Sequence, residues 1–406
     1  MEDFKKRSLT KKNIPVDDDG IELKKLLELI KDNDYYAQII NLLEIDDTSD
    51  DFIDIKGAST LVAIMKGIKN KYYKVDFVSN FENISVYNND EFTINFEEIE
   101  NNEYLEDLKL NRLVTVPIYS AKKDFFIGLY QMDRYASSLI KNGHKSIVKE
   151  NLELLKKVKN NIRKYRLLHD KQDNSFYLRT IISTGNYFNY DNNVAVVLGL
   201  LTLHRESIST GNTYELNLCE FNESYIKMFF ESSEIKELSK IGNVKNIIAV
   251  SNDEIKREAL KFLGICSIIF KHKDNNENEL FIQPKDIKSK ILTIKHSQKP
   301  KNALLELTNI INTESIHKEL YQDIQKITNI KSPDQIKFLV KSKVEKATRD
   351  ELKHSKELII MELNKKVETV IELLELFNKI NLIVSEDISA KEYLRYIQYK
   401  ALIERK

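Results

Sequence analysis

The sequence predicts an α+β protein in which a central mixed or antiparallel sheet carries helices and a mostly helical C-terminal third follows. Three observations predict it. Alternating apolar residues bounded by Asn and Asp recur between Phe52 and Ile99, as expected of short antiparallel strands. Two apolar runs that end in polar residues, Tyr177–Ser183 and Asn246–Val250, each lead into a further apolar run, Val194–Leu203 and Ala259–Phe270. From Asn302 onward the apolar spacing is helical almost throughout.

The chain has 406 residues, enough for one large domain or two to three ordinary ones with their own cores. Lys+Arg and Asp+Glu number 63 each, so no global field draws the molecule to nucleic acid or an anionic membrane, and any such binding needs a local patch. Only Cys219 and Cys266 are present, which excludes a disulfide framework and a Cys-x-x-Cys zinc pair and fits a reducing compartment. The start, Met1-Glu-Asp-Phe-Lys-Lys-Arg7, lacks the apolar core of a signal peptide. Apolar runs of about ten residues are roughly half of what spans a bilayer. A cytoplasmic protein without membrane contact is expected. Ten Gly and five Pro favour long helices over tight-turn devices.

In chain order, residues 1–20 read as a flexible charged tail, basic at Lys5, Lys6, Arg7, Lys11 and Lys12 and acidic at Asp17–Asp19. Residues 21–140 form an N-terminal helical and small-sheet region. Ile21, Leu23, Leu26, Leu27 and Ile30, then Ile39, Ile40 and Leu43, predict two short helices before an acidic loop, Asp46–Asp51. Lys74–Val78, Asn83–Tyr87 and Phe92–Phe96 alternate as strands, which Leu113–Tyr119 and Phe125–Tyr130 extend, Pro117 marking an edge or an end. Residues 141–300 form the central α+β core. It opens with a basic helix over Lys145–Tyr165 and closes with a short strand, Ile291–Ile294. In the helical region 301–406, Ile360, Leu363, Val367, Val370, Leu374 and Phe377 step at the spacing of a coiled coil or helical hairpin. Less than three heptads favours a helix pair within the chain over a dimer zipper.

Motifs that carry chemistry are few. Asp253, Glu254 and Lys256 at a strand end contain a Glu-x-Lys triplet of the kind that, with a further carboxylate, holds a metal and a water in nucleases. The competing reading makes Ser251 or Asn252 the N-cap of a helix over Ala259–Phe270, with acidic residues in its first turn. Seven His show no His-x-x-x-His or Glu-x-x-His spacing, and no glycine-rich phosphate loop occurs, so neither metal nor cofactor is expected. Cys266 sits in an apolar run without the electropositive setting of a reactive thiolate.

The remaining signal is basic and aromatic residues together. Arg163, Lys164, Arg166, Arg179, Tyr187 and Tyr190 fall within 28 positions, and Lys295 and His296 lie in a second basic run. Such mixtures bind single-stranded nucleic acid, cations following phosphates and rings stacking on bases. The competing reading is a solvated basic helix beside an aromatic core.

The order of short motifs over roughly residues 163–320 adds a resemblance. Tyr165-Arg-Leu167 and Arg179 precede Ser183 and Tyr187; Ser251-Asn-Asp-Glu254, Cys266 and His296 follow. This order resembles phage and plasmid-like proteins carrying domain of unknown function 932. Ile255 stands where that family has Gly, and Ser267-Ile268 where it has Asn-Gly. The resemblance implies a mobile-element or phage-defence setting rather than a reaction.

The expectation is a non-enzymatic nucleic-acid-associated protein, binding DNA or RNA through Arg163, Lys164, Arg166, Arg179, Tyr187, Tyr190, Lys295 and His296. The alternatives are a metal-dependent nuclease using Asp253, Glu254 and Lys256, and an assembly subunit that oligomerises through its C-terminal helices.

Overall fold

Alternating stretches become strands and 3.6-residue stretches become helices in a computed structural model of the chain. It describes all residues except 1–3, 89–90, 100–101, 130, 159–161, 186, 256–257, 272–276, 285–289, 309–312, 348–351, 353–354, 386 and 406. The strands are β1 Arg7–Thr10, β2 Ile21–Glu22, β3 Phe52–Ile53, β4 Tyr72–Asn80, β5 Ile84–Asn88, β6 Glu91–Phe96, β7 Leu113–Pro117 and β8 Ile162–Asp170. They continue as β9 Ser175–Ile182, β10 Tyr214–Phe221, β11 Tyr225–Leu238, β12 Gly242–Asp253, β13 Glu258–Lys271, β14 Glu277–Ile282 and β15 Lys290–Ile294. The class is α+β. The chain forms two compact units, one of Met1–Ala63 with Phe188–Lys406 and one of Ile64–Tyr187. No helix among the described residues is long and apolar enough to cross a membrane.

In the larger unit an antiparallel sheet runs β1-β10-β11-β12-β13-β14, and β15 also pairs with β13. The sheet is strongly curled. β10 and β14 stand four strand spacings apart, roughly 19 Å if flat, yet Asn217 on β10 reaches Glu279 on β14 at 3.2 Å. Leu218, Phe229, Ile247, Ala249, Leu263 and Ile265 fill the inner face. On the other face, helix Asn192–Thr210 lays Gly199 where an added Cβ would touch Val250 at 3.4 Å. Helix Thr313–Gln325 crosses Gly264 so closely that a Cβ there would meet Ile316 at 2.7 Å. The C-terminal helices close the main core, packing Leu363, Leu374, Phe377, Ile380 and Leu394 with Cys266, Ile268 and Phe270 of β13.

The smaller unit holds a sheet in the order β4-β8-β9-β7-β6-β5, antiparallel except at β7–β9. Val75, Phe77, Phe96, Tyr165, Leu167 and Leu178 make its core with Ala136, Val148 and Leu152 from two flanking helices, Asp133–Lys141 and Lys145–Val158.

Several expectations are corrected. The N-terminal segment is no free tail: Arg7–Thr10 pairs with β10 and buries Leu9, and Asp18 accepts the Ser59 and Thr60 amides at the start of helix Ala58–Lys71. The basic helix ends at Val158, and Ile162–Asp170 is strand. Asp124–Leu129 forms a π-helical turn rather than a strand. Ala259–Phe270 is the middle of β13, not a helix: it pairs with β12 on one edge and with β14 and β15 on the other, and with both faces covered it is apolar almost throughout. The 360–377 stripe divides between helices Lys356–Leu363 and Val370–Ile383, the second opened by a capping box of Thr369 and Glu372. It packs within its own chain. The division into units also shares residues 141–300 between both.

Candidate nucleic-acid interface

Of the residues expected to meet a polymer, Arg163, Lys164, Arg166, Arg179 and Tyr187 lie in the smaller unit, while Tyr190, Lys295 and His296 lie in the larger. Arg166 and Arg179 are fully buried, which removes them as phosphate contacts. Cross-strand pairing places Asp76 of β4 directly opposite Arg166 of β8, and Arg166 Nε donates to both Asp76 oxygens at 3.1 and 3.0 Å. Its Nη1 donates to the Tyr187 hydroxyl at 2.7 Å, and the guanidinium lies 4.9 Å from the centre of that ring. Tyr187 therefore covers an internal ion pair instead of a base. Arg163 and Lys164 are half-buried on the same strand.

Tyr190 and His296 are buried side by side, ring centres 5.9 Å apart. The Tyr190 hydroxyl donates to the Gln298 carbonyl at 2.8 Å, and burial pushes that phenol well above its ordinary pKa. Neither is available to stack on a base or meet a phosphate. Lys295 is exposed.

The carboxylates considered for a nuclease site have a structural task. Asp253 and Glu254 are buried, and Glu254 Oε1 accepts the Asn192 amide at 2.9 Å in the first turn of helix Asn192–Thr210. Asp191 caps the same helix by accepting from the Val194 amide at 2.8 Å. Asn252 Nδ2 donates to the Tyr190 carbonyl and to Asn192 Oδ1, both at 3.0 Å. The 251–254 motif thus does support a helix start, but that of a helix sixty residues upstream. Lys256 lies outside the described residues. Among the described residues no three His, Cys, Asp or Glu converge to hold a metal ion.

A different surface of the smaller unit gathers rings and cations. Lys69-Asn-Lys-Tyr-Tyr-Lys74 carries helix Ala58–Lys71 into β4, and the β4–β8 register sets Tyr73 opposite His169. Tyr73 is 41 % exposed, and its ring stacks on Tyr104 at 3.7 Å with an interplanar angle of 18°. Lys171 Nζ stands 5.9 Å from the centre of the Tyr73 ring, and its backbone amide donates to the Lys71 carbonyl at 3.0 Å. Lys71 Nζ lies 3.5 Å from Asp170 and 5.0 Å from the Tyr72 ring centre.

Beneath Tyr73 the polar groups form a chain. The Tyr104 hydroxyl lies 2.6 Å from His169 Nδ1, and His169 Nε2 lies 2.8 Å from Asn174 Oδ1. An amide oxygen only accepts, so Nε2 carries the hydrogen and Nδ1 accepts from the phenol. Phe176 fixes the imidazole by stacking at 4.2 Å and 4°. Burial, with the Tyr73 hydroxyl nearby, raises the Tyr104 phenol above its ordinary pKa. The sequence signal for this surface was the Tyr pair inside a lysine run; its distant partners were not readable.

The larger unit has a polar cluster on the inner sheet face. Glu215 and Glu231 are direct cross-strand neighbours, and Lys11 Nζ donates to both, at 2.7 Å to Glu231. Lys245 donates to Glu231 at 2.9 Å, and Asn217, at a β-bulge, donates to Glu231 at 2.6 Å and to Glu279 at 3.2 Å. Burial opposes ionisation of Glu231, but hydrogen bonds with Glu215, Lys11, Asn217 and Lys245 outweigh it and lower its pKa to about 2. Burial raises both Glu215 and Glu279, Glu215 also through its hydrogen bond with Glu231.

No protein-family model matches the chain, and no curated protein or solved structure matches it significantly.

Proposed function

We propose that this chain is a nucleic-acid-associated protein that binds single strands on the Tyr73 surface of its smaller unit. The observation that carries the reading is the partly exposed Tyr73, its ring stacked on Tyr104 and flanked by Lys171. A base stacking on an aromatic face contributes about 1–3 kcal/mol and is sequence-tolerant, while lysines follow the phosphates. A chain without net charge needs such a local patch to hold a polyanion.

Fluorescence anisotropy with a labelled single-stranded oligonucleotide tests the reading. Binding is expected to weaken steeply as salt is raised. Tyr73→Ala is expected to weaken it roughly tenfold or more, in line with the loss of one stacked base. Binding to the wild-type chain that is unchanged by Tyr73→Ala and by Lys171→Glu rejects this surface.

A further inference from the structure

We propose that Tyr104, with His169 as its base and Asn174 as a positioning residue, is a nucleophile that attacks a phosphodiester of the bound strand. The inference rests on the reading of the Tyr73 surface as a single-strand platform. Three features carry it. The phenol, the imidazole and the amide are linked in series at 2.6 and 2.8 Å, the nucleophile–base–orienter order of covalent catalysis. The tautomer set by Asn174 leaves Nδ1 as acceptor toward the phenol. The Tyr104 ring stacks against Tyr73, the ring on which a base would stack, and Lys171 Nζ stands 5.9 Å from the centre of that ring to meet phosphate charge.

The geometry explains why the base is needed. Burial and Tyr73 keep the Tyr104 phenol protonated, so a free phenolate is not the attacking form. In the step, Tyr104 Oη forms a bond to phosphorus as the bond from phosphorus to one flanking sugar oxygen breaks. The phenol proton moves to His169 Nδ1, and the departing sugar oxygen, on the opposite side of phosphorus, takes a proton from water while the imidazolium returns its own to solvent. The products are a phosphotyrosyl ester and a strand with a free hydroxyl end, and no further reactant is required. Asn174 occupies a left-handed backbone position (φ 57°) in the turn between β8 and β9, which holds its amide at the imidazole.

The full chain is incubated with single-stranded DNA and RNA oligonucleotides labelled at either end, and half of each sample is run on a denaturing gel while the other half is tested for binding by mobility shift. The expected result is a denaturant-resistant adduct on the fragment that retains its label. It should be lost at least 100-fold in Tyr104→Phe, which keeps the ring stack, and reduced in His169→Gln. Asn174→Gly, which tolerates the same backbone angle, should lower the rate and displace its pH profile without changing the thermal midpoint by more than a few degrees. Bound strand without adduct in the wild-type chain overturns the covalent step and leaves the binding surface standing. An adduct that survives Tyr104→Phe overturns it as well. Absence of both adduct and binding overturns this step together with the binding reading.

Discussion

Arg166 and Asp76 form an internal ion pair across neighbouring strands, the arginine fully buried and the aspartate side chain 22 % exposed. A cation expected to meet phosphate is thus already neutralised, and Tyr187 accepts a further hydrogen bond from it. Removing one partner of a buried pair leaves the other uncompensated, at a cost of about 3–5 kcal/mol. Asp76→Ala is therefore expected to lower unfolding stability by an amount near that range in urea titrations. Tyr187→Phe should cost only about 1 kcal/mol, the net value of one hydrogen bond. A loss below ~1 kcal/mol in Asp76→Ala would contradict the pairing.

Glu231 makes a pH prediction of definite sign. Its folded pKa, about 2, lies below its ordinary 4.5, so its stabilising contribution is present above 4.5 and is lost as pH falls toward 2. Acid unfolding of Glu231→Gln should accordingly be less steep over that window than that of the wild type. Glu215 and Glu279 have raised values, so their contributions are present below 4.5 and fade as pH rises through their folded pKa. Glu279→Gln should raise the thermal midpoint at neutral pH; a lowered midpoint would show that its ionised form is favoured.

Arg395, on helix Ile388–Tyr399, docks on the inner face of the curled sheet. It donates to Glu220 at 3.3 and 3.1 Å, and its guanidinium lies 4.9 Å from the Phe229 ring centre and 5.7 Å from that of Phe281. Burial disfavours the Glu220 carboxylate, and Arg395 outweighs it, holding that pKa below the ordinary value. Arg395→Ala is expected to cost about 3–5 kcal/mol, whereas Arg395→Met with Glu220→Leu should recover most of the loss. A thermal-unfolding double-mutant cycle measures both.

Gly264 lets helix Thr313–Gln325 approach β13, so Gly264→Ala should cost roughly 1–3 kcal/mol through overpacking against Ile316. Gly199→Ala, whose Cβ would meet Val250 at ordinary contact distance, provides the control with a much smaller effect.

The fold was legible in the sequence where one periodicity dominated. Tyr177–Ile182 reads and folds as strand. The Val194–Leu203 run has no period of its own, and it lies in a helix that Asp191 opens and Gly211 closes in left-handed conformation. Ala259–Phe270 misled because a strand covered on both faces is apolar at every position, and periodicity then cannot separate it from a buried helix. Lys145–Tyr165 misled because Val158, Ile162 and Tyr165 continue a helical spacing through a point where the chain changes to β8. The interface was less legible. Whether Arg166 or Arg179 faces water depends on neighbours far away in sequence, and the Tyr73–Tyr104–His169 grouping needs the β4–β8 register together with Tyr104 from helix Glu103–Asp107.

The central claim is that single-stranded nucleic acid lies on the Tyr73 surface. Photo-crosslinking of the intact chain to a single strand carrying thio-substituted bases, followed by peptide mapping, tests it most directly. The account predicts crosslinks in peptides containing Tyr73 or Lys171 that disappear in Tyr73→Ala. Crosslinks confined to peptides of the larger unit, or none at a strand concentration that saturates binding, would contradict it.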